Sequence, residues 1–207
     1  MISKYSDKMA VYKTTETPIE EVLYKERKSK FIGYAFPIES DLEVKPLIDH
    51  LRKSHPQARH VCYAYRIGIN GENFRTFDDG EPNNSAGTPI YGQLLSFELT
   101  NLLVAVVRYF GGVKLGVGGL VSAYKTTAQL TLEQATIIEK EPSYNYKINC
   151  AYKDLSHVQK IVKNVNGEVL QIENKMDCML EIKISESEEA RFLNQIEALY
   201  EVVLERY

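Results

Sequence analysis

Five of the twelve glycines of this 207-residue chain lie within nine residues of one stretch, RYFGGVKLGVGGLVSAY, at positions 108–124. A hydrophobic run precedes them and a helix-like run follows. The first N–H groups of a helix lack intrahelical partners and carry partial positive charge, and glycine has no Cβ to block an approaching ligand. Such a stretch can bind an anion through its backbone. The alternative, equally open from the residues alone, is that the glycines only permit turns and close packing of helix against strand.

The side chains around the glycines favour a phosphate-bearing ligand. Residues 99–132 contain no acid but carry three cations, and two aromatic residues lie beside them. Basic groups interleaved with aromatic rings suit RNA, because phosphates supply affinity and exposed bases stack. We therefore expect a nucleic-acid or phosphate site formed by Arg108, Tyr109, Phe110, Lys114, Gly116, Gly118, Gly119 and Lys125.

Two alternatives to this site remain open. Tyr109 and Phe110 could end a core strand, with the nearby cations merely solvated. The stretch YKERKSKF adds four more cations, which a solvated strand edge explains equally well. These four are Lys25, Arg27, Lys28 and Lys30.

Known phosphate motifs do not match the glycine stretch. GGVKLGVGG lacks the Gly-Lys-Ser/Thr end of a P-loop, and Gly116-Val117-Gly118 has no third glycine at position 121, so the dinucleotide fingerprint fails as well. No nucleophile–base pair is visible in the sequence. We name no reaction, no catalytic residue and no cofactor.

The acidic loop Asp78, Asp79 and Glu81 is the weak candidate for a metal site. Clustered carboxylates can hold a hard cation such as Mg²⁺. We favour the alternative that these acids cap turns and pair with Arg75 or Arg108. The histidines at positions 50, 55 and 60 do not share a helix face, so no joint metal site is expected of them.

Composition is that of an ordinary globular protein, with 44% hydrophobic and 26% charged residues and a formal net charge of −3. Any contact with nucleic acid must therefore come from a local patch. Cys62, Cys150 and Cys178 form no CxxC pair, which favours reduced thiols over a disulfide framework or a zinc site. The first residues show no apolar signal core, and no run approaches a membrane span. We expect a cytoplasmic protein without a membrane partner.

The chain divides near Pro142, which ends a long helix-like run. Residues 1–141 have a net charge of 0 and residues 142–207 a net charge of −3, so the first part is the better candidate for binding phosphate. The pattern predicts strands at 22–28, 30–39, 58–69, 73–77 and 102–110, with a hairpin turn at Asn70-Gly71. It predicts helices at 41–55 with Asp41 as N-cap, from Thr88 as N-cap with Pro89 first, and at 119–135.

Residues 142–207 show the order strand, helix, strand, strand, helix, strand. That order is typical of the ferredoxin-like plait, a two-layer α+β fold. The fold alone implies no activity.

Three motifs in order, HVCYAYR, DDGEPNNSAGTPI and RYFGGVKLGVGGLVSAY, resemble the YigZ/IMPACT family over residues 19–135. The resemblance implies an α+β fold of two domains. Residues 1–141 would form an IMPACT-type domain like the second domain of ribosomal protein S5. Residues 142–207 would resemble the plait domains of elongation factor G, as in the family's bacterial members. Asn83, Asn84 and Ser85 replace the family's usual Ser, Gly and Thr.

The resemblance also implies a role in translation. Eukaryotic relatives regulate translation and bind a protein partner, and bacterial members are suspected of binding nucleic acid or ribosomes. We expect a non-catalytic protein that binds RNA or the ribosome through the glycine-rich basic patch, with a protein partner on the second domain. The alternatives are an enzyme acting on a phosphorylated small molecule or nucleotide, with the glycine loop as phosphate cradle, and a pure protein-interaction module.

Overall fold

The computed structural model describes residues 11–174, 178–199 and 202–207. They separate into one unit over Tyr12–Lys140 and a second built mainly from Glu141–Tyr207. In chain order the first unit contains β1 (Tyr12–Thr15), β2 (Ile19–Glu26), β3 (Ser29–Pro37), α1 (Val44–Ser54), β4 (His60–Ile67), β5 (Asn73–Phe77), α2 (Gly87–Ser96), β6 (Leu102–Tyr109), α3 (Gly116–Glu133) and β7 (Ile137–Lys140).

Five of these strands form one antiparallel sheet in the order β2-β3-β6-β4-β5. The central strand β6 is apolar at almost every position because both of its faces are covered. Leu102, Val104 and Val106 face the core under α2 and α3, whereas Leu103 and Val107 face the core under α1. Different helices therefore cover the two sides of the sheet, and successive residues of a strand face opposite sides.

The sequence predicted the five strands of this sheet and misplaced the starts of α1, α2 and α3. Ser40, not Asp41, caps the short 3₁₀ turn ahead of α1: its Oγ accepts the Leu42 N–H at 3.2 Å, and the Glu43 carboxylate accepts the Ser40 N–H at 2.9 Å. This reciprocal pair is a capping box. Asp41, the predicted N-cap, is instead the first residue of this 3₁₀ turn.

Helix α2 begins at Gly87, one residue before the predicted cap Thr88. Asp78 supplies the cap from outside the helix, because its Oδ1 accepts the N–H groups of Ala86 at 2.9 Å and Gly87 at 2.8 Å. A contact across nine residues leaves no local sequence signal. Gly87 also lies so close to the Phe77 backbone that a Cβ would clash with it.

Two short strands were not predicted. β1 pairs antiparallel with β7, from Tyr12 opposite Lys140 to Thr15 opposite Ile137. Each strand has only four residues, and its partner lies more than 120 positions away, so neither has a usable local pattern.

The second unit contains β8 (Ser143–Cys150), α4 (Tyr152–Asn164), β9 (Glu168–Asn174), β10 (Cys178–Ser185), α5 (Glu186–Ile196) and β11 (Val203–Arg206). Its sheet order is β11-β8-β10-β9, all antiparallel. Alternate residues of β10 are buried against both helices, in a core that includes Val158 and Phe192. This is the ferredoxin-like plait, and the predicted two-domain α+β class is confirmed.

No helix within the described part of the chain is long and apolar enough to cross a membrane.

Candidate nucleic-acid interface

The glycine stretch combines two packed glycines, Gly111 and Gly119, with three open ones. Gly111 lies against the backbone of Lys28, where any Cβ would clash, and its N–H donates to the Ser29 Oγ at 3.1 Å. Gly112 and Gly116 have φ of +85° and +72°, a conformation that favours glycine. A Cβ at Gly112, Gly116 or Gly118 would meet nothing within 4 Å. Close packing therefore accounts for Gly111 and Gly119, and the other three face open space.

Helix α3 starts inside this stretch, three residues earlier than predicted. Gly116, Val117 and Gly118 are exposed in its first turn, no side chain caps that turn, and the turn contains no acid. The first N–H groups of a helix have no acceptor within the helix, so they present partial positive charge to a ligand. Gly119, by contrast, packs against the Leu115 side chain.

Arg108 lies inside the domain and not on its surface. It is only 6% exposed, and its guanidinium donates to the Glu81 Oε1 at 2.6 Å. The Tyr124 hydroxyl donates to the same oxygen at 2.8 Å. The guanidinium also lies 5.5 Å from the ring centre of Phe31 and 5.6 Å from that of Phe110. The surface charge expected from Arg108 is thus neutralised in a buried pair.

The two aromatic residues at the end of β6 point to different sides. Phe110 is 53% exposed and is held from beneath by Arg108. Tyr109 belongs to the opposite face of the sheet, under α1, where its hydroxyl bonds to the His55 Nδ1 at 2.8 Å. The Tyr34 hydroxyl bonds to the Nε2 of the same ring at 2.6 Å, and burial lowers the pKa of His55. Phe110 is therefore the ring available for stacking, and Tyr109 is part of the core.

The surface cations are contributed by three elements. Lys114 and Lys125 are exposed, and neither has an ion-pair partner among the residues that the structure describes. The β2–β3 turn adds exposed Arg27 and Lys28, and its backbone lies against Gly111. Their approach to the glycines depends on the pairing of β3 with β6, which the local sequence does not reveal.

The acidic loop has a structural role in the folded chain. The Asp78 carboxylate accepts N–H groups at the start of α2, and Asp79 accepts the Val61 N–H at 2.7 Å while pairing with Arg52 at 2.7 Å. Glu81 pairs with Arg108. The favoured interpretation, that these acids cap turns and pair with an arginine, agrees with these contacts. Among the described residues there is no group of three or more His, Cys, Asp or Glu side chains placed to hold a metal ion.

The three cysteines all lie in the described part of the chain, where they are buried and form no disulfide bond with one another. Cys62 donates its S–H to the Asp78 carbonyl at 3.1 Å and lies 3.3 Å from the Tyr124 hydroxyl oxygen. Burial raises the pKa of this thiol, so it is not poised as a nucleophile.

The chain is therefore a two-domain α+β protein. In its first unit an exposed glycine turn begins the long helix α3, and the buried Arg108–Glu81 ion pair lies in the same unit. Residues 27–132 match the family model described as the Impact N-terminal domain. An Escherichia coli protein named IMPACT family member YigZ is 30% identical over 178 residues, which cover 85% of each chain. A Haemophilus influenzae protein named IMPACT family member is 32% identical over 186 residues, covering 86% of this chain and 89% of that one.

A solved structure described as the crystal structure of a hypothetical protein agrees with the whole fold. It aligns with a TM-score of 0.74 at 28% identity, over 95% of this chain and 97% of its own. The chain belongs to the IMPACT family, as the three sequence motifs indicated.

Proposed function

We propose that this protein is a non-catalytic binding protein linked to translation, and that it binds single-stranded RNA through its first unit. The surface consists of Lys28, Phe110, Gly112, Lys114, the first turn of α3 from Gly116 to Gly119, and Lys125. We call it the glycine surface. The uncapped, exposed first turn of α3 is the observation that carries the proposal.

The chemistry of the glycine surface matches one strand of nucleic acid. Backbone N–H groups at a helix N-terminus bind phosphate without needing a side chain. Lys28 and Lys114 add point charges, and the half-exposed Phe110 ring offers a face on which a base can stack. Arg108 supports this arrangement from below, because its guanidinium holds the Phe110 ring and is itself fixed by Glu81.

The link to translation comes from the family, whose eukaryotic members the resemblance identifies as regulators of translation. We assign any contact with the ribosome or with a protein partner to the second unit. Residues 142–207 carry the chain's net negative charge, which disfavours RNA there. Edge strand β9 exposes Val169, Leu170 and Ile172, an apolar row that suits a protein partner better.

The test is fluorescence anisotropy with a labelled single-stranded RNA across a series of salt concentrations. The variant Lys28→Ala/Lys114→Ala removes two phosphate contacts. It is expected to bind at least tenfold more weakly, with a salt slope shallower by about 1.4, at roughly 0.7 for each contact to a single strand.

The control Lys45→Ala/Lys53→Ala removes the same charge from α1, on the opposite side of the sheet. It is expected to bind like the wild type. Equal losses in the two variants, or no binding by the wild type at low salt, would contradict the proposal.

A further inference from the structure

Strand β9 is an edge of the second unit's sheet that exposes apolar side chains. Val169 is 41% exposed, Leu170 45% and Ile172 39%. Within the described ranges of the chain β9 pairs with β10 alone, so no described strand lies along the outer side of its backbone. An edge of this kind presents N–H and C=O groups on which another strand can pair.

The other three edge strands of the two larger sheets are better protected than β9. Strand β2 has four charged residues among eight, and β11 has only four residues, of which two are charged. Strand β5 has five residues, one of them an arginine. Between Glu168 and Glu173, by contrast, β9 has four uncharged residues in succession. Charged side chains and short length normally prevent edge pairing, so β9 is the described edge best suited to a partner strand.

A bulge in β9 places its two regularly paired apolar side chains on one side of the sheet. The pairing with β10 skips Leu170, which is therefore the extra residue. Val169 lies opposite Ile182 and Ile172 lies opposite Leu180, and both of these β10 residues are buried under the helices. Directly opposed residues of neighbouring strands face the same side, so Val169 and Ile172 both face the helix side of the sheet.

The two acidic residues of β9 face the other side of the sheet. Glu168 lies opposite Lys183 and Glu173 lies opposite Met179, and each of these β10 residues is next to a buried one. Successive residues of a strand point to opposite faces, so both carboxylates are on the side away from the helices. Residues 142–207 also have a net charge of −3. The edge thus combines an apolar side with an acidic side.

We propose that β9 binds an extended segment of a partner protein, which adds a fifth strand to this sheet and alternates basic with apolar residues. This inference rests on the proposed function, which assigns a protein partner to the second unit. Main-chain hydrogen bonds supply the affinity in strand addition, and alternate side chains supply the specificity.

The chemistry of the partner segment follows from the two sides of β9. Its apolar residues lie beside Val169 and Ile172, and its cations lie beside Glu168 and Glu173. Because β10 matches the bulged strand with one regular residue at each position, the same spacing fits the outer side. The segment therefore has a basic, an apolar, any, an apolar and a basic residue in succession.

A second copy of this chain is the less suitable occupant. Antiparallel pairing of two β9 strands that sets Val169 opposite Ile172 also sets Glu168 opposite Glu173 at both ends. Like charges directly opposite each other are destabilising. A shift of one position sets Glu168 opposite Ile172, or Glu173 opposite Val169. RNA is disfavoured as well, because its phosphates would lie beside the two carboxylates.

The experiment measures the binding of two labelled synthetic peptides to the full chain by anisotropy. One contains Lys-Val-Thr-Ile-Lys and the other Glu-Val-Thr-Ile-Glu, within the same neutral flanking sequence. The lysine peptide is expected to bind at least about tenfold more tightly, because two favourable cross-strand charge pairs replace two unfavourable ones. Its affinity should fall as salt is added, since salt screens exposed charges.

One variant of β9 and one of the opposite edge strand test the location. Ile172→Lys gives β9 the charge that protected edges carry, and it is expected to weaken the lysine peptide at least about tenfold. Val203→Lys makes the same change in β11, where the side chain is also exposed, and should bind like the wild type. Both variants should retain the RNA affinity of the wild type.

Amide hydrogen exchange of the wild type gives a readout that needs no variant. A strand that pairs with β9 ties up its outward N–H groups, so the lysine peptide should slow exchange in β9. Exchange in β11 should not change. Slower exchange in β11 with β9 unaffected would overturn the proposal.

The remaining outcomes separate this proposal from the proposed function. Equal binding of the two peptides, or equal losses in the two variants, overturns the assignment of β9 and leaves RNA binding by the glycine surface intact. A wild-type dimer in sedimentation that Ile172→Lys dissociates also overturns it, because the occupant is then a second copy. A wild type that binds the lysine peptide at β9 but binds no RNA supports the strand site and overturns the RNA part of the proposed function.

Discussion

Arg108 shows how a single residue can be recognised as important and yet have a different partner from the one expected. Its place beside the glycines suggested a phosphate contact, but the folded chain buries it against Glu81 and Tyr124. The sequence shows that residue 108 is charged but not which way its side chain faces. In β6 Arg108 lies opposite Phe31 and His60, and its side chain is on the inward side of the sheet.

Removing the Arg108 charge should cost stability before it affects binding. Arg108→Met leaves Glu81 buried without its cation, and breaking a buried pair in this way typically costs about 3 to 5 kcal/mol. Adding Glu81→Gln should recover part of the loss, because an amide oxygen can still accept the Tyr124 hydroxyl. Denaturant unfolding measures both variants.

An exposed pair serves as the comparison for this prediction. Arg191→Met breaks the Arg191–Glu188 contact, which is largely solvated, and should cost less than about 1 kcal/mol. If Arg108→Met unfolded at the same denaturant concentration as Arg191→Met, the buried pair would have no structural role.

At the scale of elements, the patterns that depend on local sequence were predicted well. β6 followed from its apolar run and the β4–β5 hairpin from Asn70-Gly71, whose glycine has φ of +70°. The errors lie where a distant residue decides, as when Asp78 caps α2. The start of α3 was placed three residues late because Gly116 and Gly118 favour a loop by propensity, and the helix nevertheless includes them.

Gly118 allows stability and binding to be separated within one element. Gly118→Ala adds a methyl group in open space on a helix, so the free energy of unfolding should rise by up to about 1 kcal/mol. The same methyl group covers the first-turn amides, so RNA affinity should fall. Thermal unfolding and anisotropy measure the two effects on one sample.

The control for Gly118→Ala is Ser122→Ala, an exposed position one turn further along α3. It should retain RNA affinity. A Gly118→Ala variant that bound RNA as tightly as the wild type would show that the first turn of α3 does not contact the ligand.

At the scale of the molecule, the chain has two units with separate cores and different charge. The first unit is neutral overall and has the exposed cations Arg27, Lys28 and Lys114 near the glycines, whereas the second carries the net negative charge. The sequence predicted this division of charge, because counting charges requires no structure. Which cations lie near the glycines depends on the pairing of β3 with β6 and became visible only in the fold.

The most direct test is a titration of the ¹⁵N-labelled full chain with unlabelled single-stranded RNA, followed by amide chemical shifts. The account predicts the largest shifts at Lys114 and at Gly116–Gly119, with the amides of residues 142–207 unchanged. Shifts confined to residues 142–207 or to α1, with the first-turn amides of α3 unmoved, would contradict it.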